Sequence, residues 1–448
     1  MAASDQDESD SLESTSASTV ITASPTEKTA VASHDPYRAL RFRDFRLLFT
    51  GSLIATLGTK MLEVAIGWQL YERTGSALVL GIVGLVLVIP VLLLSLLAGQ
   101  IADRFNRKQV IMAAEGLIVA ASFGLVLLSL EHGPLVLIYG CLLLLGTGSA
   151  FSQPARSALI SQTVPESVFE NAATWNSSSW QLASVLGPTL SGLLIALFQD
   201  ATLVYLLNTL AALCFVVLLV WRRGSQQTRL QKPSRGRSTL QSLVEGVSFL
   251  RRTQIILAAI TLDMFAVLLG GATTLLPIYA KDILHVGPIG LGWLNAAPSI
   301  GAIGMALLLA HRRPFQKAGR TLLLAVIGFG LATVIFGLSH NFWLSLLMLF
   351  LLGGLDNISV VIRGTLLLVR TPDQMRGRVA AVNALFIGIS NEMGGFESGV
   401  TAQLFGPVAS VVGGGIGTIL VVLLVALIWP EMRRLSTLRE QQGQGRPA

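Results

Sequence analysis

Long apolar runs, separated at regular intervals by short polar segments, dominate the chain from residue 47 onward. A helix needs about 20 mostly apolar residues to cross the hydrocarbon core of a bilayer. Twelve runs qualify: 47–70, 77–101, 109–130, 135–155, 173–197, 201–221, 254–279, 288–310, 320–338, 343–364, 379–403 and 407–429. They predict an all-α integral membrane protein of twelve transmembrane helices. A longer polar stretch, 222–253, interrupts the series. Its second part, from Leu240 to Arg252, carries apolar residues at helical spacing and predicts a short amphipathic helix at the membrane surface. The expected organisation is a tail at 1–36, a six-helix half at 37–222, a linker at 223–253, a second half at 254–430 and a tail at 431–448.

The two halves align with each other. At an offset of 207, Gly146 matches Gly353, Arg156 matches Arg363, Pro165 matches Pro372, Asn176 matches Asn383, Gly187 matches Gly394 and Gly192 matches Gly399. Near the second span the offset becomes 208, pairing Gly84 with Gly292, Pro90 with Pro298 and Arg104 with Arg312. Arg, Pro and Asn are scarce in apolar sequence, so one shared register for them points to an internal repeat. Two pseudo-symmetric six-helix halves suit a transporter whose site lies between them and whose halves rock to expose it to each side.

Composition agrees: 52% of the residues are hydrophobic and only 13% charged. The first 35 residues hold Asp5, Asp7, Glu8, Asp10, Glu13 and Glu27 among Ser and Thr, a composition that predicts disorder. They contain no apolar core of a secretory signal. Basic residues gather on alternate loops: Arg38 to Arg46, Arg104 to Lys108, the 222–252 stretch, Arg312 to Arg320, Arg376 and Arg378, and Arg433 to Arg439. The other loops hold only Arg73 and Lys281. The asymmetry predicts that the basic side, with both termini, is cytoplasmic. Cys141 and Cys214 fall in apolar runs as packing residues, and the five histidines fall in loops or the tail. No metal site, cofactor, nucleotide-binding loop, catalytic constellation or nucleic-acid partner is expected. Gly413-Gly414-Gly415-Ile416-Gly417 lies too deep in a span to cradle phosphate and suits close helix packing.

The loop after the second span reads Gly99-Gln-Ile-Ala-Asp103-Arg104-Phe-Asn-Arg107-Lys108. This G-x-x-x-D-R-x-x-R-K pattern, between spans two and three, resembles the loop motif of the major facilitator superfamily. Gly99 is expected to let two helices approach. Asp103 is expected to face the positive N-terminal end of the eleventh span, beside Arg376 and Arg378, as an inner latch. Phe42-Arg-Asp-Phe-Arg46, Pro154-Ala-Arg156, Gly187-Pro188, Glu245-Gly246 and Met375-Arg-Gly-Arg-Val379 extend the resemblance to about residues 37–435. Together they resemble the efflux branch that includes the bacterial enterobactin exporter and macrolide efflux proteins. The second copy of the loop motif is reduced to His311-Arg312-Arg313, so the latch is expected mainly in the first half. The stretch Ala183-x-x-x-Gly187-Pro188-x-x-Ser191-Gly192 fits the superfamily's antiporter pattern only in part, with Ala and Ser where Gly is usual.

Charge deep in a bilayer is costly and marks function. Lys60 and Glu63 lie three residues apart in span one, on one helix face. Glu392 and Glu397 lie in span eleven, five residues apart, so one of them is expected to line a cavity. Glu392, beside Asn391 and nearer the centre, is the first candidate for proton transfer, since desolvation favours the neutral form of a carboxyl group; binding of a cationic cargo group and helix packing or capping are the alternatives. Asp263, Asp356 with Asn357, and Glu115 form a second group that can instead serve as partners of Arg363, Arg156 or a helix end. Arg156 and Arg363 read as gate residues rather than ligands. Trp68, Phe265 and Trp293 can line a cavity or pack.

The expectation is a monomeric, proton-coupled exporter of amphiphilic small molecules, drug-like or siderophore, in a bacterial inner membrane. The alternatives are a nutrient importer or facilitator, a lysolipid flippase, and a receptor or assembly subunit that transports nothing.

Overall fold

The computed structural model describes residues 35–160, 162–222, 239–312 and 316–435. Helices begin and end where the local chemistry dictates. Among the described residues, twelve are long and apolar enough to cross a membrane. The first half comprises α1 (Arg43–Thr74), α2 (Ala77–Arg104), α3 (Arg107–Leu130), α4 (Leu135–Ile160), α5 (Phe169–Phe198) and α6 (Thr202–Trp221). At the end of α1, Gly75 takes a left-handed conformation (φ 62°) and its N–H closes the helix on Tyr71 O. Asn106 caps the start of α3 by accepting the Lys108 N–H at 3.0 Å. The linker helix α7 (Thr239–Arg252) follows at the predicted place.

The second half comprises a composite seventh span, then α10 (Gly287–Ala310), α11 (Ala318–Leu338), α12 (Phe342–Arg370), α13 (Asp373–Phe405) and α14 (Pro407–Ile428), with a short α15 (Pro430–Arg434). The seventh span was expected as one helix over 254–279. Instead α8 (Gln254–Leu269) stops at Gly270, a 3-10 turn covers Ala272–Leu275, one α turn (α9, Leu276–Ile278) follows, and Tyr279–Ile283 forms a π-helical turn. Two adjacent glycines release the helix, and α13 lies against the break. A Cβ on Gly394 would sit 2.7 Å from Val267 O and 2.8 Å from Leu268 O. Several other helices outrun their apolar cores; α13 begins at Asp373 rather than 379.

The repeat is visible in the packing. In the first half α1 packs on α5 and α6, α2 on α4, and α3 on α4 and α6. In the second half α8 packs on α13 and α14, α10 on α12, and α11 on α12 and α14. The halves meet through α2 with α13 and through α5 with α10, a pair of contacts related by the same pseudo-symmetry. Several hydroxyls inside the spans are satisfied locally: Thr59, Thr147 and Thr365 donate to carbonyls four residues back. The outward surface is apolar, with Leu93, Val136 and Leu404 exposed. That arrangement suits lipid as the surrounding solvent.

Candidate functional site

Small residues set how closely the halves approach. A Cβ on Gly192 of α5 would lie 3.1 Å from Gly292 Cα of α10, and one on Gly399 of α13 would lie 2.7 Å from Gly81 Cα of α2. Backbone therefore meets backbone at both seams. Gly187, one turn before Gly192 and followed by Pro188, faces α1; a Cβ there would lie 2.5 Å from Lys60 Cβ. Its repeat mate Gly394 faces α8 in the same way. Hydrogen bonds join the seam at one end. Tyr71 donates to Asp282, the Lys281 ammonium lies 5.8 Å from the Tyr71 ring, and Ser76 Oγ donates to Gln403 Oε1 at 3.0 Å. These contacts lie toward the ends opposite the basic loops.

Further along these helices lie three of the predicted charges. Lys60 Nζ bonds both carboxylate oxygens of Glu63, at 3.0 and 2.8 Å, and lies 5.9 Å from the Trp180 ring. The side chains are 24% and 48% exposed, so the pair is not sealed in a core. Glu392 comes from the other half. Its carboxyl group rests on Gly84 of α2. Lys60 and Glu63 from α1 thus join Trp180 from α5, while Glu392 from α13 reaches α2 of that first half. Glu397 stands apart, half-buried, five residues further along α13.

The second group of acids is paired. Glu115 of α3, fully buried, accepts from Arg156 at 2.5 Å and from Ser152 at 2.6 Å, and Arg156 stacks 4.4 Å from the Phe215 ring. Asp263 of α8 pairs with Arg363 of α12, both buried. Asp356 lies two turns before Arg363 on the same helix and makes no ion pair among the described residues. Trp68 is buried packing, whereas Phe265 and Trp293 are exposed.

The loop motif is engaged within its own half. Arg107 Nη1 donates to Ala158 O at 2.7 Å, and Lys108 Nζ to Val220 O and Arg222 O at 3.2 and 3.1 Å. These bonds satisfy carbonyls at the ends of α4 and α6. Arg104 is exposed, and the Asp103 side chain lies outside the described residues, as does Arg313. The close helix approach expected at Gly99 is not made: a Cβ there would meet nothing within 4 Å, because the seam tightens at the far end of α2 instead. Arg376 pairs with Asp373 at 2.7 Å, and Arg378 pairs with Glu245 of the linker helix. That ion pair, with Gly246 packed against Val382 of α13, ties α7 to the second half. Tyr71, Asp282, Gln403 and Trp180 were not singled out by sequence. They carry no motif, and only the contact between distant segments reveals them.

The sequence profile of the family described as transmembrane secretion effector matches residues 34–442. The chain is 28% identical over 396 residues to the enterobactin exporter of Shigella boydii serotype 4, covering 87% of this chain and 92% of that protein. The same identity and coverage hold for the enterobactin exporter of Escherichia coli O81. Among solved structures, a mutant of the peptide transporter POT superposes with a TM-score of 0.67 at 14% identity, covering 88% of this chain and 95% of that one. A bacterial homologue of the human lysosomal transporter Spinster, inward-facing and unoccupied, superposes with a TM-score of 0.66 at 14% identity, covering 89% and 98%.

Proposed function

We propose, for a chain that belongs to the transmembrane secretion effector family of the major facilitator superfamily, that this transporter exports amphiphilic small molecules in exchange for protons. The observation that carries the reading is the pair of charged groups set into spans of the two halves, the Lys60–Glu63 ion pair of α1 and the Glu392 carboxyl group of α13 lodged on Gly84 of the opposite half. Charged groups so placed change their surroundings whenever the halves rock. A proton or a charged cargo group bound there has different affinity in the two facing states, which is the thermodynamic requirement for coupling. Glu392 is the proton carrier in this scheme. Glu63 holds the Lys60 ammonium, which leaves Glu392 as the acid free to exchange. Trp180 adds an aromatic wall beside the cation, a surface suited to cargo that is apolar with a few charged groups. The relatives named enterobactin exporters favour a siderophore-like cargo.

Asp103 is proposed to contribute to closure on the basic side. The basic loops favour a bacterial inner membrane location with both termini in the cytoplasm, and the protein is taken to work as a monomer. In inverted vesicles with an imposed proton gradient, the wild type accumulates cargo as protons flow out of the vesicle. Glu392→Gln abolishes that gradient-driven accumulation while cargo still binds. Retained coupling in Glu392→Gln overturns the assignment. Accumulation in the opposite direction overturns export.

A further inference from the structure

The two seams between the halves are pseudo-symmetric, but they are not filled alike. At the α5–α10 seam, the atoms nearest a Cβ on Gly292 are backbone, with Pro188 O at 2.6 Å and Thr189 Cα at 3.2 Å. Gly84 is the repeat mate of Gly292. At the α2–α13 seam, the three atoms nearest a Cβ on Gly84 all belong to Glu392, and the first is carboxyl Oε2, which such a Cβ would overlap. One turn away, Gly81 and Gly399 hold the two backbones in contact. The helices are therefore pinned together, and the Glu392 side chain has been given room by the missing side chain at Gly84. At the repeat offset of 207 the position of Glu392 is taken by Val185. Ordinary packing would fill both seams the same way. This one seats a charged side chain from one half on bare backbone of the other.

We infer that Gly84 is a notch that receives the Glu392 carboxyl group, and that seating it there is a condition for closing the side of the protein opposite the basic loops. Gly84 is thus a positioning residue. It links the Glu392 carboxyl group to the seam beyond it, where Ser76 meets Gln403. The inference rests on the transport reading only in taking the halves to move. Closure is read without any cargo, so the two fail separately: loss of coupling in Glu392→Gln tests the carrier, and seam closure tests the notch.

The experiment places cysteines at Ser76 and Gln403 in a chain with Cys141→Ser and Cys214→Ser, reconstituted in lipid, and follows the initial rate of oxidative crosslinking. Gly84→Ala is expected to lower that rate severalfold, because a Cβ there would overlap Glu392 Oε2 and the carboxyl group must leave its seat. Adding Glu392→Ala restores it, because the colliding atoms are gone. Adding Glu392→Gln does not, because its shape is the same. Gly140→Ala, where a Cβ meets nothing within 4 Å, leaves the rate unchanged and controls for an added methyl group in a spanning helix. A wild-type rate in Gly84→Ala overturns the notch. So does a low rate that Glu392→Ala fails to restore, since the collision is then with something else. Rescue by both Ala and Gln also overturns it, since the seat would then read charge rather than shape.

Discussion

Tyr71, near the end of α1, donates its phenolic hydrogen to the Asp282 carboxylate in the π-helical turn of the seventh span. The bond crosses from one half to the other, beside the Ser76–Gln403 bond. It is charge-assisted, and bonds of that type are stronger than neutral ones. Tyr71→Phe removes the hydroxyl and keeps the ring. At a part-exposed site the loss is about 1 kcal/mol, or roughly fivefold in the closed-to-open ratio. Labelling of a cysteine at Ser76 by an impermeant maleimide should rise by that factor. Labelling at the wild-type rate would show that the bond contributes nothing to closure.

The two seams give a second prediction. A Cβ on Gly192 or on Gly399 would collide with backbone of the opposite half, at Pro288 and Gly81 respectively, and backbone cannot swing aside. Gly192→Val and Gly399→Val are both expected to keep the halves apart. Spin labels at His132 and His340, exposed on connections in different halves, should report a longer distance in both variants. An unchanged distance in either would break the equivalence of the two seams.

Arg363 and Asp263 form an ion pair that is closed to water. Removing one partner strands a buried charge, at a cost of roughly 3–5 kcal/mol. Arg363→Leu should therefore lower the melting temperature in detergent markedly. The double change Arg363→Leu with Asp263→Leu removes both charges and should recover most of the loss. A double variant as unstable as the single one would mean that the pair is needed for its shape rather than its neutrality.

Arg107 and Lys108 bond the carbonyls at the ends of neighbouring helices. Arg107→Ala and Lys108→Ala should each cost about 1 kcal/mol of stability. Neither should change the crosslinking rate between cysteines at Ser76 and Gln403, because both act inside the first half. A changed rate would assign these two residues to the gate instead.

Much of this architecture can be read along the chain. Twelve spans follow from apolar runs of membrane length, and the repeat follows from Arg156 and Arg363 keeping one register with their neighbouring glycines. The Lys60–Glu63 pair follows from a three-residue spacing on a helix. The start of α13 does not, because Asp373 to Arg378 continue the helix into polar surroundings where hydropathy carries no signal. The break at Gly270–Gly271 lies inside an apolar run, and a window of about 19 residues averages over it. Glu392 is visible as an acid inside a spanning run, but its company is not. Gly84, on which it rests, lies more than 300 residues away in sequence, and only helix adjacency brings them together. The same holds for Tyr71 and Asp282, which sit among short polar connections that resemble many others.

The paired arginines also carry a history. Arg156 and Arg363 occupy equivalent places in the two halves, but their acids do not. The position matching Glu115 holds Leu322 or Leu323, and the position matching Asp263 holds Thr56 or Ala55, at either repeat offset. If one ancestral half was duplicated, it cannot have handed both acids down in their present pairings and kept them. The arginine is the shared inheritance, and each copy settled on its own counter-charge, drawn from a different neighbouring helix. The two halves are therefore not interchangeable parts: a first half fused to a copy of itself would repeat the Glu115 pairing and lose the one that ties α8 to α12.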